Sequence, residues 1–146
     1  MTKTAIIVLS ILFSTFSFAG SLKSESDVRS YSDQIMQKVA SGDLAAAFKL
    51  MKTYVVISET ELDSSLLKSQ ALREQYGQRY GEPIGFEYIG KIKRGDSLLY
   101  LQYIEKTSRH AIPWSFYFYK APGGWLLNSF NWKDQYQHLF TTDYDL

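Results

Sequence analysis

Four segments between residues 83 and 133 alternate apolar and polar positions with the two-residue period of β-strands. Short turn sequences separate them, and the clearest are Arg94-Gly95-Asp96-Ser97 and Ala121-Pro122-Gly123-Gly124. The predicted strands cover residues 84–93, 98–107, 112–120 and 125–133. Because tight turns join antiparallel neighbours, this pattern predicts a meander sheet and constrains the fold more than any other feature of the chain.

Helical signals dominate the residues that precede these strands. A first helix is predicted from a cap at Ser26 or Asp27 to Gly42, and Asp43 is expected to cap a second, shorter helix. The sequence from Ser58 to Glu61 fits a capping box that begins a third helix. The sequence therefore predicts an α+β fold with N-terminal helices packed on a curved antiparallel meander sheet.

The first 19 residues have the three parts of a secretory signal peptide. Lys3 gives a positive start, residues 5–13 are apolar except for Ser10, and Ser17-Phe18-Ala19 resembles a cleavage site. The apolar run is shorter than the roughly 20 residues that span a bilayer. We expect cleavage after Ala19, no stable membrane span afterwards and one domain over residues 20–146, the alternative being an uncleaved N-terminal anchor.

Composition argues against several classes of function. Removal of Lys3 would leave 15 basic and 15 acidic residues, which is not the basic excess of a nucleic-acid-binding surface. The absence of cysteine excludes disulfides and thiolate metal sites. His110 and His138 lack metal-ligand spacing, so no metal or cofactor is expected. With no N-glycosylation sequon present, a bacterial periplasm is the predicted location.

The second and third strands carry large side chains on both faces. One helical layer covers only one face of a sheet, so the other apolar face must contact something else. We expect Tyr103, Tyr117 and Tyr119 on that second face, at an interface with a second copy or with an envelope protein. One bulge would exchange the two faces of a strand.

Two local motifs add a resemblance to a known family. Residues 40–48 (Ala-Ser-Gly-Asp-Leu-Ala-Ala-Ala-Phe) join two helices through a glycine–aspartate pair, and residues 123–130 (Gly-Gly-Trp-Leu-Leu-Asn-Ser-Phe) lead from a hairpin into a tryptophan-bearing strand. With the order of elements, they resemble the nuclear transport factor 2-like (cystatin-like) superfamily. The resemblance implies a cone-shaped cavity inside a curved sheet and frequent dimerisation through its outer face. It implies no activity, because the superfamily includes isomerases, dehydratases, transport adaptors and secretion-system components.

Six aromatic residues form the predicted ligand-binding set: Tyr76, Tyr80, Phe86, Tyr88, Trp114 and Phe116. Tyr76 and Tyr80 are four residues apart and would share one face at the end of the third helix, either at the mouth of the cone or packed against the first strand. Trp114 and Phe116 are also expected in the core, because they lie in the most aromatic strand.

Glu87 and Glu105 are the strand residues that could act as an acid or base if burial raised their pKa. A solvent-facing glutamate is the ordinary alternative for both, so no catalytic residue is predicted. We therefore expect a secreted, non-catalytic domain that binds a small apolar ligand, a peptide or a protein partner. Two alternatives remain open: an acid–base enzyme of the isomerase or dehydratase type that acts on an apolar substrate in the cone, and a structural homodimer in an envelope assembly.

Overall fold

The computed structural model describes residues 21–140, and the predicted signal peptide lies outside that range. Three helices come first: α1 (Glu25–Ala40), α2 (Leu44–Met51) and α3 (Glu59–Tyr80). Four strands follow: β1 (Pro83–Arg94), β2 (Leu98–Thr107), β3 (Ala111–Ala121) and β4 (Gly124–Trp132). A short 3-10 helix covers Gln137–Phe140. Each strand pairs antiparallel with the next in one open sheet, which confirms the α+β class and the meander.

Side-chain caps define where the helices begin. The Asp43 carboxylate accepts a hydrogen bond from the Ala46 backbone N–H at 2.9 Å, and Ser58 forms a capping box with Glu61, as predicted. Helix α1 begins earlier than expected, because Ser24 is its cap and forms a second capping box with Asp27. Two capping boxes satisfy backbone N–H groups that a helix start leaves unpaired.

The core lies between α1, α2 and one face of the sheet, which we call the inner face. Trp114 and Phe116 are both 0% exposed, so their predicted place in the core is confirmed. The other large side chains buried on this face of β2 and β3 are Leu99, Leu101, Tyr103, Ile112 and Phe118. Burial of this many aromatic and aliphatic side chains supplies the stability of a domain without disulfides.

Tyr103 lies on the inner face, and its predicted place beside Tyr117 and Tyr119 is wrong. Tyr103 pairs with Trp114 in the β2–β3 register, whereas Tyr100 pairs with Tyr117. Residues directly opposite each other in a sheet share a face, so Tyr100 is the β2 tyrosine on the face with Tyr117. The register joins odd-numbered residues of β2 to even-numbered residues of β3, which alternation within each strand does not reveal.

A β-bulge interrupts β1 near its middle. Tyr88 pairs with Tyr103 and Gly90 pairs with Gln102, so Ile89 is an extra residue on β1. An extra residue of this kind moves the side chains that follow it to the opposite face of the sheet.

Beyond the bulge, β1 holds α1 with two lysines. Lys91 and Lys93 lie on the inner side, where their Nζ atoms are 2.6 and 3.0 Å from the Glu25 carboxylate. Ile92 lies on the opposite face, which we call the outer face. Simple alternation would place Phe86 and Ile92 on one face, and they lie on opposite faces because the bulge separates them.

Candidate functional site

A groove lies on the outer face of the sheet, and we call it the outer groove. Its volume is about 460 Å³, inside the range of about 300–1,000 Å³ that is usual for small-molecule sites. Strands β1, β2 and β3 form its floor, and the end of β4 with the residues that follow forms one side. The apolar lining that belongs to the outer face consists of Ile92, Leu98, Tyr100 and Tyr117. Leu99 and Phe118 also border the groove, although their side chains are buried on the inner face.

Cross-strand neighbours build the floor of the outer groove. One row runs across three strands through Ile92, Tyr100 and Tyr117, and the next contains Leu98 and Tyr119. The ring centroids of Tyr100 and Tyr117 are 4.8 Å apart. Aromatic pairs at this distance attract each other beyond the effect of their buried area, so the floor is a packed surface.

Much of this apolar surface is open to solvent. Leu98 is 52% exposed, and Tyr117 and Tyr119 are each 42% exposed. Single exposed apolar residues are common, whereas contiguous apolar patches mark binding sites or interfaces. These three side chains therefore point to a contact beyond those made within residues 21–140.

The lining of the outer groove contains basic residues and no acidic ones. Arg94, Lys133 and His138 belong to its lining, and no aspartate or glutamate does. Within residues 21–140, neither Arg94 nor Lys133 forms an ion pair with a carboxylate. The outer groove thus combines an apolar floor with two cationic groups that have no acidic partner in the described part of the chain.

Tyr76 and Tyr80 line a second cavity of about 300 Å³, between the α1–α2 turn, the end of α3 and the start of β1. Their ring centroids are 5.5 Å apart. Tyr80 also stacks on His110 and donates a hydrogen bond to Asp134 at 3.1 Å. Burial and the hydrogen bond to Asp134 raise the pKa of the Tyr80 hydroxyl. The two tyrosines share a face as predicted, but Tyr80 is tied to the protein's own residues.

Phe86 and Tyr88 lie apart from both cavities, on the inner side of β1. The Arg29 guanidinium is 3.4 Å from the centroid of the Tyr88 ring and forms an ion pair with Asp33 at 2.8 Å. The Tyr103 hydroxyl donates a hydrogen bond to Asp33 at 2.8 Å. Burial, followed by this hydrogen bond, raises the pKa of Tyr103, which keeps the hydroxyl a donor. These contacts attach α1 to the sheet.

The six aromatic residues predicted to bind a ligand do not meet in one cavity. Trp114 and Phe116 are in the core and line neither of the two cavities above, nor a third of about 300 Å³ between α3 and β4. Of the predicted interface residues, Tyr117 lines the outer groove and Tyr119 adjoins it.

Glu105 is fully buried, so the expectation that it faces solvent is wrong. It shares the inner face with Tyr103, and both of its oxygens accept hydrogen bonds from the Arg73 guanidinium, one of them at 2.6 Å. The Trp114 indole N–H donates to the same carboxylate at 3.0 Å. Glu87 is exposed, as expected. Neither glutamate is placed to exchange a proton with a ligand in the outer groove.

Sequence reasoning missed Ile92, Arg94 and Lys133 as members of a site. The faces of β1 follow from its bulge, and Gly90 is the local signal that could have indicated it, because glycine inside a strand often marks a bulge. Lys133 follows the last strand, so the alternation of strand residues does not predict the direction of its side chain. No local motif would have joined these residues.

Within the described range, no three acidic or histidine side chains are grouped to hold a metal ion, and no helix is long and apolar enough to cross a membrane. Comparisons with protein-family models, curated proteins and solved structures give no match to this chain. The architecture itself, with helices packed on an open four-stranded antiparallel sheet, is compatible with an α+β cone fold.

Proposed function

We propose that this chain is a non-catalytic binding domain of the bacterial envelope, with a fold of the nuclear transport factor 2-like type, and that its outer groove binds a small ligand with an apolar body. The groove itself carries the proposal, because Leu98 and Tyr117 leave about half of their surface in water beside a concave apolar floor. A ligand that covers this floor gains about 25 cal/mol for each Å² of apolar surface removed from water.

The contacts of the two strand glutamates favour binding over acid–base catalysis. Glu105 accepts hydrogen bonds from Arg73 on both oxygens and from Trp114 on one of them. It is also fully buried and lines none of the three cavities, so its carboxylate is not placed to take a proton from a substrate there. Glu87 lies exposed on β1 and lines none of the three cavities. The remaining polar lining of the outer groove suits orientation of a ligand more than chemistry upon it.

Secretion belongs to the same proposal and depends on the signal-peptide pattern of residues 1–19. Cleavage after Ala19 would leave a protein that begins at Gly20. Its intact mass in a periplasmic fraction would support this location, and a membrane-bound species that retains residues 1–19 would contradict it.

Binding of the neutral apolar dye Nile red, followed by fluorescence, tests the groove. We expect Leu98→Glu to weaken dye binding at least tenfold, because it places a charge in the apolar lining. Leu67→Glu is the matched control: Leu67 is 67% exposed on α3 and lies outside that lining, so this variant should bind as the wild type does. Wild-type protein that binds no dye, or equal binding by both folded variants, would refute the proposal.

A further inference from the structure

The charge distribution of the outer groove is one-sided. Arg94 projects from the outer face of β1 beyond the bulge, since it pairs with Leu98 on the face that also carries Tyr117. Lys133 follows β4 on the other side of the floor, and its backbone N–H is held by the Pro113 carbonyl at 3.2 Å. The two basic side chains thus border the apolar floor on opposite sides.

We infer that the ligand of the outer groove is a monomeric amphiphile with one anionic headgroup, and that this headgroup binds to Arg94 or to Lys133 at the border of the groove while the apolar tail covers the tyrosine floor. The inference rests on the proposed binding function and adds the chemical class of the ligand. It depends on the pairing of an apolar floor with two cations that no carboxylate neutralises among residues 21–140.

The electrostatic argument separates an anionic amphiphile from neutral and cationic ones. A ligand that covers the floor removes water from the neighbouring Arg94 and Lys133 side chains, and partial desolvation without a partner costs free energy. An anionic headgroup replaces that water with charge-assisted hydrogen bonds, which are stronger than neutral ones. A neutral headgroup replaces it only in part, and a cationic headgroup adds like-charge repulsion.

Three probes that each contain a linear chain of ten carbons test this order: decanoate, 1-decanol and decyltrimethylammonium. Calorimetric titration into the purified protein at pH 8, below micelle-forming concentrations, should give decanoate an affinity at least tenfold above that of decanol, with decyltrimethylammonium the weakest. A tenfold difference is within the range expected of one hydrogen bond to a charged group. Raising the salt concentration from 20 to 500 mM should weaken decanoate binding and leave decanol binding unchanged.

A double variant identifies the headgroup site. Arg94→Gln with Lys133→Gln should reduce the affinity for decanoate to about the affinity for decanol measured on the same variant. Lys38→Gln with Lys49→Gln is the control, because it also removes two positive charges, but from the exposed surfaces of α1 and α2. The control should keep the wild-type preference for decanoate, since general electrostatic attraction would fall equally in both double variants.

The outcomes separate the two proposals. Equal binding of decanoate and decanol overturns the inferred headgroup while the binding function stands. Failure of all three probes to bind, or a stable wild-type dimer that excludes them, overturns the binding function itself. An unchanged decanoate preference in the Arg94/Lys133 variant shows that these residues do not bind the headgroup.

Discussion

Arg73 and Glu105 form an ion pair at the edge of the core. The Glu105 side chain is 0% exposed and the Arg73 side chain is 17% exposed. The Arg73 guanidinium carbon also lies 4.6 Å from the ring centroid of Trp132. A two-point contact between a guanidinium and a carboxylate fixes geometry as well as charge, so the pair holds the middle of α3 against the inner face.

Removal of one partner should therefore cost more stability than removal of both. We expect Arg73→Met to lower the free energy of unfolding by about 3–5 kcal/mol, because Glu105 would remain buried with Trp114 as its one remaining donor within residues 21–140. The double variant Arg73→Met with Glu105→Gln should recover most of that loss. Urea unfolding of the single and double variants measures both effects. A loss below about 1 kcal/mol for Arg73→Met would show that the Glu105 charge needs no partner.

Two glycines near the end of α3 differ in whether their backbone conformation requires glycine. Gly77 lies inside the helix, and a Cβ there would meet nothing within 4 Å. Gly81 caps the helix with φ of 81°, its N–H donates to the Gly77 carbonyl at 2.9 Å, and a Cβ there would collide with the Ser108 hydroxyl. Only Gly81 uses the backbone freedom that glycine provides.

Alanine substitutions should have opposite signs at these two positions. We expect Gly77→Ala to raise the free energy of unfolding by up to about 1 kcal/mol, because alanine loses less backbone entropy in a helix. Gly81→Ala should lower it by at least about 1 kcal/mol, from the strained φ and the contact with Ser108. Thermal and urea unfolding of the two variants gives the comparison, and the same sign for both would contradict this account of the helix end.

The helices and strands could be predicted because their signals are local. Asp43 and Ser58 bind backbone groups within three residues, and the alternation that defines each strand is visible in the sequence itself. The faces could not be predicted, because Tyr103 and Ile92 take theirs from the β2–β3 register and from the bulge in β1. Both are properties of paired strands. The outer groove depends on the register and on the bulge, so the residues that line it could not be predicted from alternation alone.

The whole molecule presents one further candidate contact, a homodimer through the outer face. Leu98, Tyr117 and Tyr119 form an exposed apolar patch, and a two-fold contact would bring two copies of this patch together. The same contact would bring two copies of Arg94 towards each other without an acidic partner in the groove lining. We therefore propose that any dimer is weak and competes with the ligand for one surface.

Sedimentation across a concentration series should show dimerisation that Tyr117→Glu abolishes and Leu67→Glu leaves unchanged. Added salt should strengthen this dimer, because it screens the repulsion between basic groups, whereas salt should weaken binding of an anionic amphiphile. Decanoate should lower the dimer fraction by occupying the shared surface. A wild-type protein that stays monomeric at every concentration would exclude the homodimer, and a dimer unaffected by Tyr117→Glu would place the contact elsewhere.

Two distant parts of the molecule depend on the β-bulge at Ile89. Without the bulge, the side chains of β1 that follow it would point to the opposite face of the sheet. Arg94 would then leave the outer groove, and Lys91 and Lys93 would lose their contacts with Glu25 on α1. We therefore expect this strand to tolerate substitutions better than insertions or deletions. Among descendants of this chain, the spacing between Tyr88 and Arg94 should be inherited more strictly than the side chains within it.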